Sequence, residues 1–230
     1  TRSRKNSSNM MDYIRSFKYL VHELETHPLI ILDNKPKYLQ IGEEDILDFL
    51  EFYNIREIPE SLFSFYRQLY GFRLRWHYAP QGVEDIQKRE NANDFATVRG
   101  EITIPFMGSM LAYDEFLDNW GLSMLPEEAA DLVNFRCIDD NGNNDWIQVG
   151  FIIEDKIIKD ELYYLQSGDE GFCALECTFD QYIEALIQAK GFVGWQKTFA
   201  SRTSEFLRNR SDLFFYMHQL FPNEKLESFK

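Results

Sequence analysis

Around Gly71 the spacing of apolar residues changes from three-and-four to strict alternation, and that change limits what this chain can become. Upstream, Leu62, Phe65, Tyr66 and Leu69 form one stripe of a helix, with Ile58-Pro59-Glu60-Ser61 at its start and Gly71 just past its end. Downstream, Phe72, Leu74, Trp76 and Tyr78 fall on one face, while Arg73, Arg75 and His77 fall on the other. Period two with apolar and basic residues alternating describes a half-buried strand. A helix that passes through one glycine into a half-buried strand needs a shared core, so a purely helical or purely β chain is excluded.

The flanking segments extend this pattern. Ile14, Phe17, Val21 and Leu24 predict an amphipathic helix over Met11 to Leu24, ended by Thr26-His27-Pro28 because proline disfavours helical geometry in the residue before it. Leu29 to Leu32 reads as a short strand. Glu43 to Tyr53 predicts a second helix with Ile46, Leu47, Leu50 and Tyr53 inward and acids toward its N-terminus. Strands are expected over Thr97 to Phe106, Phe135 to Ile138, Trp146 to Ile153, Ile157 to Leu165 and Phe172 to Cys177. Gln81 to Phe95 reads as loop, and Gly108 to Asn134 fits no single pattern. Thr178 and Gln181 match a capping box opening a helix that Gly191 stops, and a last helix runs from about Thr203 to Phe221. Helices, then strands, then helices predict an α+β fold: a mainly antiparallel twisted sheet with helices packed on it and extra helices at both termini. The expected division is residues 1–40 as an N-terminal extension with an amphipathic helix, 41–200 as the α+β domain, and 201–230 as a C-terminal helix on that domain.

Composition narrows the function. The 230 residues are 44% hydrophobic and 16% aromatic, enough apolar surface to offset the ordering entropy of a folded globule. No apolar run approaches the length of a membrane-spanning helix. The formal charge of -14 is concentrated in residues 41–195, which carry 11 basic and 30 acidic side chains, whereas 1–40 and 196–230 are net basic. Such a surface repels phosphate backbones and anionic membranes and attracts basic proteins, although acidity also serves solubility alone. Three cysteines, Cys137, Cys173 and Cys177, are an odd number in a chain that needs no staples, which suits a reducing, cytoplasmic setting. The basic start leads into an amphipathic pattern instead of an apolar signal core, and Met10 or Met11 is an expected natural start.

Chemical motifs are absent from the sequence. His22, His27, His77 and His218 stand in no metal-binding spacing, and Cys173 and Cys177 lack a second ligand pair. There is no Gly-x-Ser-x-Gly and no phosphate-binding loop. Asp139, Asn141, Asn143 and Asp145 suggest calcium, but Asn144 and Gly150 occupy the positions where a calcium loop requires glycine and glutamate. No cofactor, metal or catalytic residue is expected; a hydrolase with an unrecognised site is the weaker alternative.

Ile58-Pro59-Glu60-Ser61-Leu62-Phe63-Ser64-Phe65-Tyr66-Arg67-Gln68-Leu69-Tyr70-Gly71 resembles the Leu-Pro-x-x-[Tyr/Phe]-x-x-[Phe/Leu]…Gly helix of the SUKH superfamily, which joins fungal cell-wall-assembly regulators with bacterial immunity proteins. Gly100-Glu101-Ile102-Thr103-Ile104 is similar to a later strand of that family, and Phe179 to Leu186 with Gly191-Phe192 and Trp195-Gln196 is similar to its closing helix. The resemblance spans roughly residues 40 to 200; the arginine-rich strand after Gly71 and the added terminal helices depart from it. It implies an α+β fold and a non-enzymatic binding role: an immunity protein that neutralises a toxin such as a nuclease, or a scaffold without a toxin partner. A basic toxin domain would meet the acidic middle block, in which Asp139, Asp140, Asp145, Glu154, Asp155, Asp169 and Glu170 are expected in loops as partner-binding residues.

Overall fold

The computed structural model describes residues 11–79, 98–112, 133–141, 147–166, 172–197 and 204–229, with side chains in the last segment from Asp212 onward. Helix α1 (Tyr13–Thr26) starts where the Asp12 carboxylate accepts the Arg15 N–H at 3.0 Å, and buries Tyr13, Phe17, Leu20, Val21 and Leu24. Strand β1 (Ile30–Leu32) follows, then α2 (Glu43–Phe52) and α3 (Glu60–Gln68). The Asp45 side chain accepts the Gly42 N–H at 2.8 Å and ties down the start of α2.

The alternating segment forms β2 (Phe72–Tyr78), with Phe72, Leu74 and Trp76 buried and Arg73 exposed. It lies between β1 and β3 (Arg99–Ile104) in an antiparallel three-stranded sheet, Arg75 facing Glu101 across the pair. Gly71 turns α3 into β2 at φ +83, where a Cβ would come within 3.0 Å of the Ile104 carbonyl oxygen and the Phe106 nitrogen. In the stretch without a sequence pattern lies a short helix, α4 (Met107–Leu111), most of it buried.

The second sheet is built from β4 (Phe135–Asn141), β5 (Ile147–Glu154), β7 (Tyr163–Gln166) and β8 (Phe172–Ala174) in that order, with β6 (Ile157–Ile158) paired to β5, all antiparallel. The single strand expected over Ile157 to Leu165 is thus two. The break has a cause: Asp160 leaves the ladder and its carboxylate accepts the Phe179 N–H at 2.8 Å, at the start of α5 (Phe179–Gln188). The capping box of α5 forms as expected, Thr178 and Gln181 each accepting from the other's backbone N–H. Helix α6 (Ser204–Leu220) and a 3-10 turn (Glu227–Phe229) complete the described chain. One hydrophobic cluster joins α1, α3, both sheets, α5 and Leu213, Met217 and Leu220 of α6. The architecture is α+β, with antiparallel sheets and helices packed on them.

A buried ion cluster fastens the late segments to the early ones. Lys190, 1% exposed, places its Nζ 2.7 Å from Glu23 of α1 and 2.6 Å from Glu224, above the Phe221 ring. Its own carbonyl accepts the Trp76 indole N–H at 2.7 Å, and His27 contacts the Leu220 carbonyl at 2.8 Å.

Candidate partner-binding face

The seven acidic residues expected on binding loops do not share one environment. Asp145, Asp169 and Glu170 lie outside the described residues. Asp139 and Asp140 belong to strand β4 and Glu154 closes β5, so the loop assignment is corrected for all three. Strand β4 runs past Ile138, with a bulge between Cys137 and Asp139, and stays paired with β5 through Asn141; Gly142 to Asp145 of the expected turn lie outside the described residues.

Asp139 is a core residue, 1% exposed, and so is no part of a surface that a partner could touch. Its Oδ2 accepts the Tyr182 hydroxyl at 2.6 Å and the Gln196 side-chain N–H at 3.0 Å. Burial pushes its carboxyl up to about 6, against the opposing pull of those two donors and of the Thr103 backbone. The same burial and the adjacent Asp139 charge hold the Tyr182 phenol well above its ordinary range. The cluster joins β4, α5 and the segment after α5; its setting is that of a buried polar joint.

Glu154 and Asp155 do sit together at the surface. Asp155 and Lys156 make the β5–β6 turn with φ of 50° and 67°. Glu154 is ion-paired with Lys159, and Lys156 donates to the Asn54 side chain at 3.1 Å. The turn borders an open cleft of about 550 Å³ with Tyr53, Asn54, Ile55, Asn134, Arg136 and Ile153. Arg136 is held there by the carbonyls of Leu111, Val133 and Phe135, which fixes one wall. A parallel bridge between Glu57 and Ile157 stitches the turn to the α2–α3 connection.

The more conspicuous acidic surface is one the sequence reading did not single out. On α2, Glu44, Asp48 and Glu51 follow one another at i, i+4 and i+7 on the solvent side, all exposed, and none makes an ion pair with a described residue. Phe52, 79% exposed, stands at the end of this strip beside Tyr53. Leu47, expected in the buried stripe, is 50% exposed, because only the Ile46–Leu50 side of α2 meets the core. Periodicity located the helix; only tertiary packing decides which edge of its apolar stripe stays wet.

The basic side of β2 is partly neutralised. Arg75 pairs with the buried Glu101 at 2.6 Å, and the His77 ring shares a hydrogen bond of 2.6 Å with the Asp33 carboxylate. The cysteines are unbridged and half-buried, and burial together with the Asp160 charge pushes the Cys177 thiol up to about 12, far from a thiolate at neutral pH. Among the described residues no three His, Cys, Asp or Glu side chains are grouped to hold a metal ion, and no helix is long and apolar enough to cross a membrane. Comparison with family models, with curated proteins and with solved structures finds no match to this chain.

Proposed function

We propose that this chain is a non-enzymatic protein-binding domain, an immunity protein of the SUKH type that acts in the cytoplasm by sequestering a cognate toxin with a basic surface. The observation that carries the reading is the α2 strip: three exposed carboxylates without ion-pair partners among the described residues, next to an aromatic side chain that is 79% exposed. Large apolar side chains left this exposed beside one sign of charge favour contact with another macromolecule. A toxin that holds nucleic acid must itself be basic, and the net charge of -14 would steer it to this surface before the ring is desolvated. Phe52 would supply the apolar anchor and the carboxylates the orientation and on-rate.

The test uses the purified chain and the product of the gene beside its own. Binding should weaken with salt; Glu44→Lys with Asp48→Lys should slow association by about tenfold, and Phe52→Ala should mainly speed dissociation. Cells expressing that neighbouring product should survive only with the unmodified chain. Absence of both binding and protection would refute the toxin reading; binding to a harmless neighbour would support a scaffold instead.

A further inference from the structure

The surface beside α2 carries its own complement. Leu39 and Phe106 are 55% and 49% exposed, and with Phe52 they flank a ridge of half-buried aromatic rings. Phe49 stacks on Tyr70 at 6.2 Å, and Tyr70 packs against Phe106 at 5.7 Å. The rings close over Gly108, where a Cβ would lie 3.0 Å from Phe49 and 3.6 Å from Phe106. Phe49 and Phe52 are three residues apart on α2, so Phe52 continues the ridge along the helix.

Opposite charges border the two sides of this ridge. On one side an open cleft of about 460 Å³, floored by Tyr70, Phe72 and Phe106, is rimmed by Lys35, Lys37 and Arg73 and, among the described residues, by no acidic one. All three cations are exposed and make no ion pair with a described residue. On the other side stand Asp45, Asp48 and Glu44 of α2, and Asp45 is close enough that its charge, after burial, helps push the Tyr70 phenol up. In a chain of net charge -14, a basic cleft beside an acidic helix needs a reason.

We infer that this face is an isologous interface with a second copy of the chain, the acidic row of α2 in each copy lying against the Lys35–Lys37–Arg73 rim of the other and the Phe52–Phe106–Leu39 ridges meeting at the two-fold axis. The order acid, apolar, base across one patch is the pattern that a two-fold operation turns into its own complement, and such a contact closes as a dimer instead of growing into a filament. An apolar centre with a charged rim is also the usual build of a protein interface. The acidic row is shared with the surface proposed for the toxin, so a second copy and the toxin exclude one another. The inference does not rest on the toxin reading: its test uses the chain alone, and either can fail while the other stands.

Sedimentation equilibrium of the full chain tests it. The expected result is a dimer with a dissociation constant in the micromolar range that weakens at high salt. Two charge-reversed variants are decisive: Glu44→Lys with Asp48→Lys, and Lys37→Glu with Arg73→Glu. All four positions are exposed, and unchanged circular dichroism certifies that each variant is folded. Each alone should be monomeric, with dimerisation weakened by tenfold or more, and an equimolar mixture should restore a heterodimer because both contacts then regain opposite signs. A monomeric parent chain, a dimer indifferent to these changes, or no recovery on mixing would each overturn the inference. Capture of an acidic peptide in the basic cleft by a chain that stays monomeric would overturn it in favour of a different occupant.

Discussion

Replacing Asp139 with asparagine should change how stability depends on pH more than it changes stability itself. Burial raises this carboxyl from an ordinary 3.8 to about 6 in the folded chain, so folding favours its neutral form. A raised folded-state value means the carboxyl's stabilising contribution is fully present below the unfolded-state value and is lost as pH rises through about 6. At about 1.36 kcal/mol per unit, the whole window is worth about 3 kcal/mol, and about 2 kcal/mol of it falls between pH 4.5 and 8. Asparagine keeps an oxygen to accept the Tyr182 hydroxyl and the Gln196 amide and cannot ionise, but it puts amide hydrogens in the place of Oδ1, where they meet no acceptor among the described residues and the pull of the Thr103 backbone on a carboxylate is lost. That exchange costs a roughly pH-independent amount, on the order of 1 kcal/mol or more. Urea unfolding of both proteins at several pH values separates the two effects. The difference in unfolding free energy should move in the variant's favour by about 2 kcal/mol from pH 4.5 to 8, whatever its sign at the acid end. Parallel curves for the two proteins would refute the placement of an ionisable carboxylate in this joint.

Two further substitutions probe packing. Lys190→Met leaves Glu23 and Glu224 facing each other without their cation and should cost about 3–5 kcal/mol, read as a lower urea midpoint; an unchanged midpoint would mean that the cluster holds nothing in place. Gly100→Ala puts a Cβ 2.0 Å from the Trp76 indole nitrogen, so the ring must move and give up its bond to the Lys190 carbonyl; a loss of about 2 kcal/mol or more and a shift in tryptophan emission are expected, and wild-type values for both would refute the close approach.

What the sequence made legible was local. The face of β2, the α5 capping box and the helix over α3 are each decided by residues within one or two turns of one another, and all three stand where the spacing put them. The misreadings involve distant partners. Asp139 reads as a turn residue because the donors that hold it in the core, Tyr182 and Gln196, are 43 and 57 residues away. The split between β6 and β7 follows from Asp160 serving a helix start 19 residues on. The basic cleft was invisible for the same reason: Lys35 and Lys37 are remote in sequence from Arg73 and Phe106, and only the three-stranded sheet brings them to one rim. In the sequence the acids of α2 read as helix-dipole complements, a role that holds for the first turn and says nothing of Asp48 and Glu51.

The Lys190 ion cluster sets a timetable for biosynthesis. Glu23 leaves the ribosome about 200 residues before Glu224, an interval of roughly ten to forty seconds at ordinary translation rates. For most of that interval Lys190 is itself still to come; it emerges 34 residues before Glu224, and over that last stretch its ammonium has only the Glu23 half of its anionic cage. Docking of the Glu224 segment is therefore the step that seals Trp76 and Phe221 from water, and a chaperone that binds exposed aromatic surface has its longest opportunity just before it.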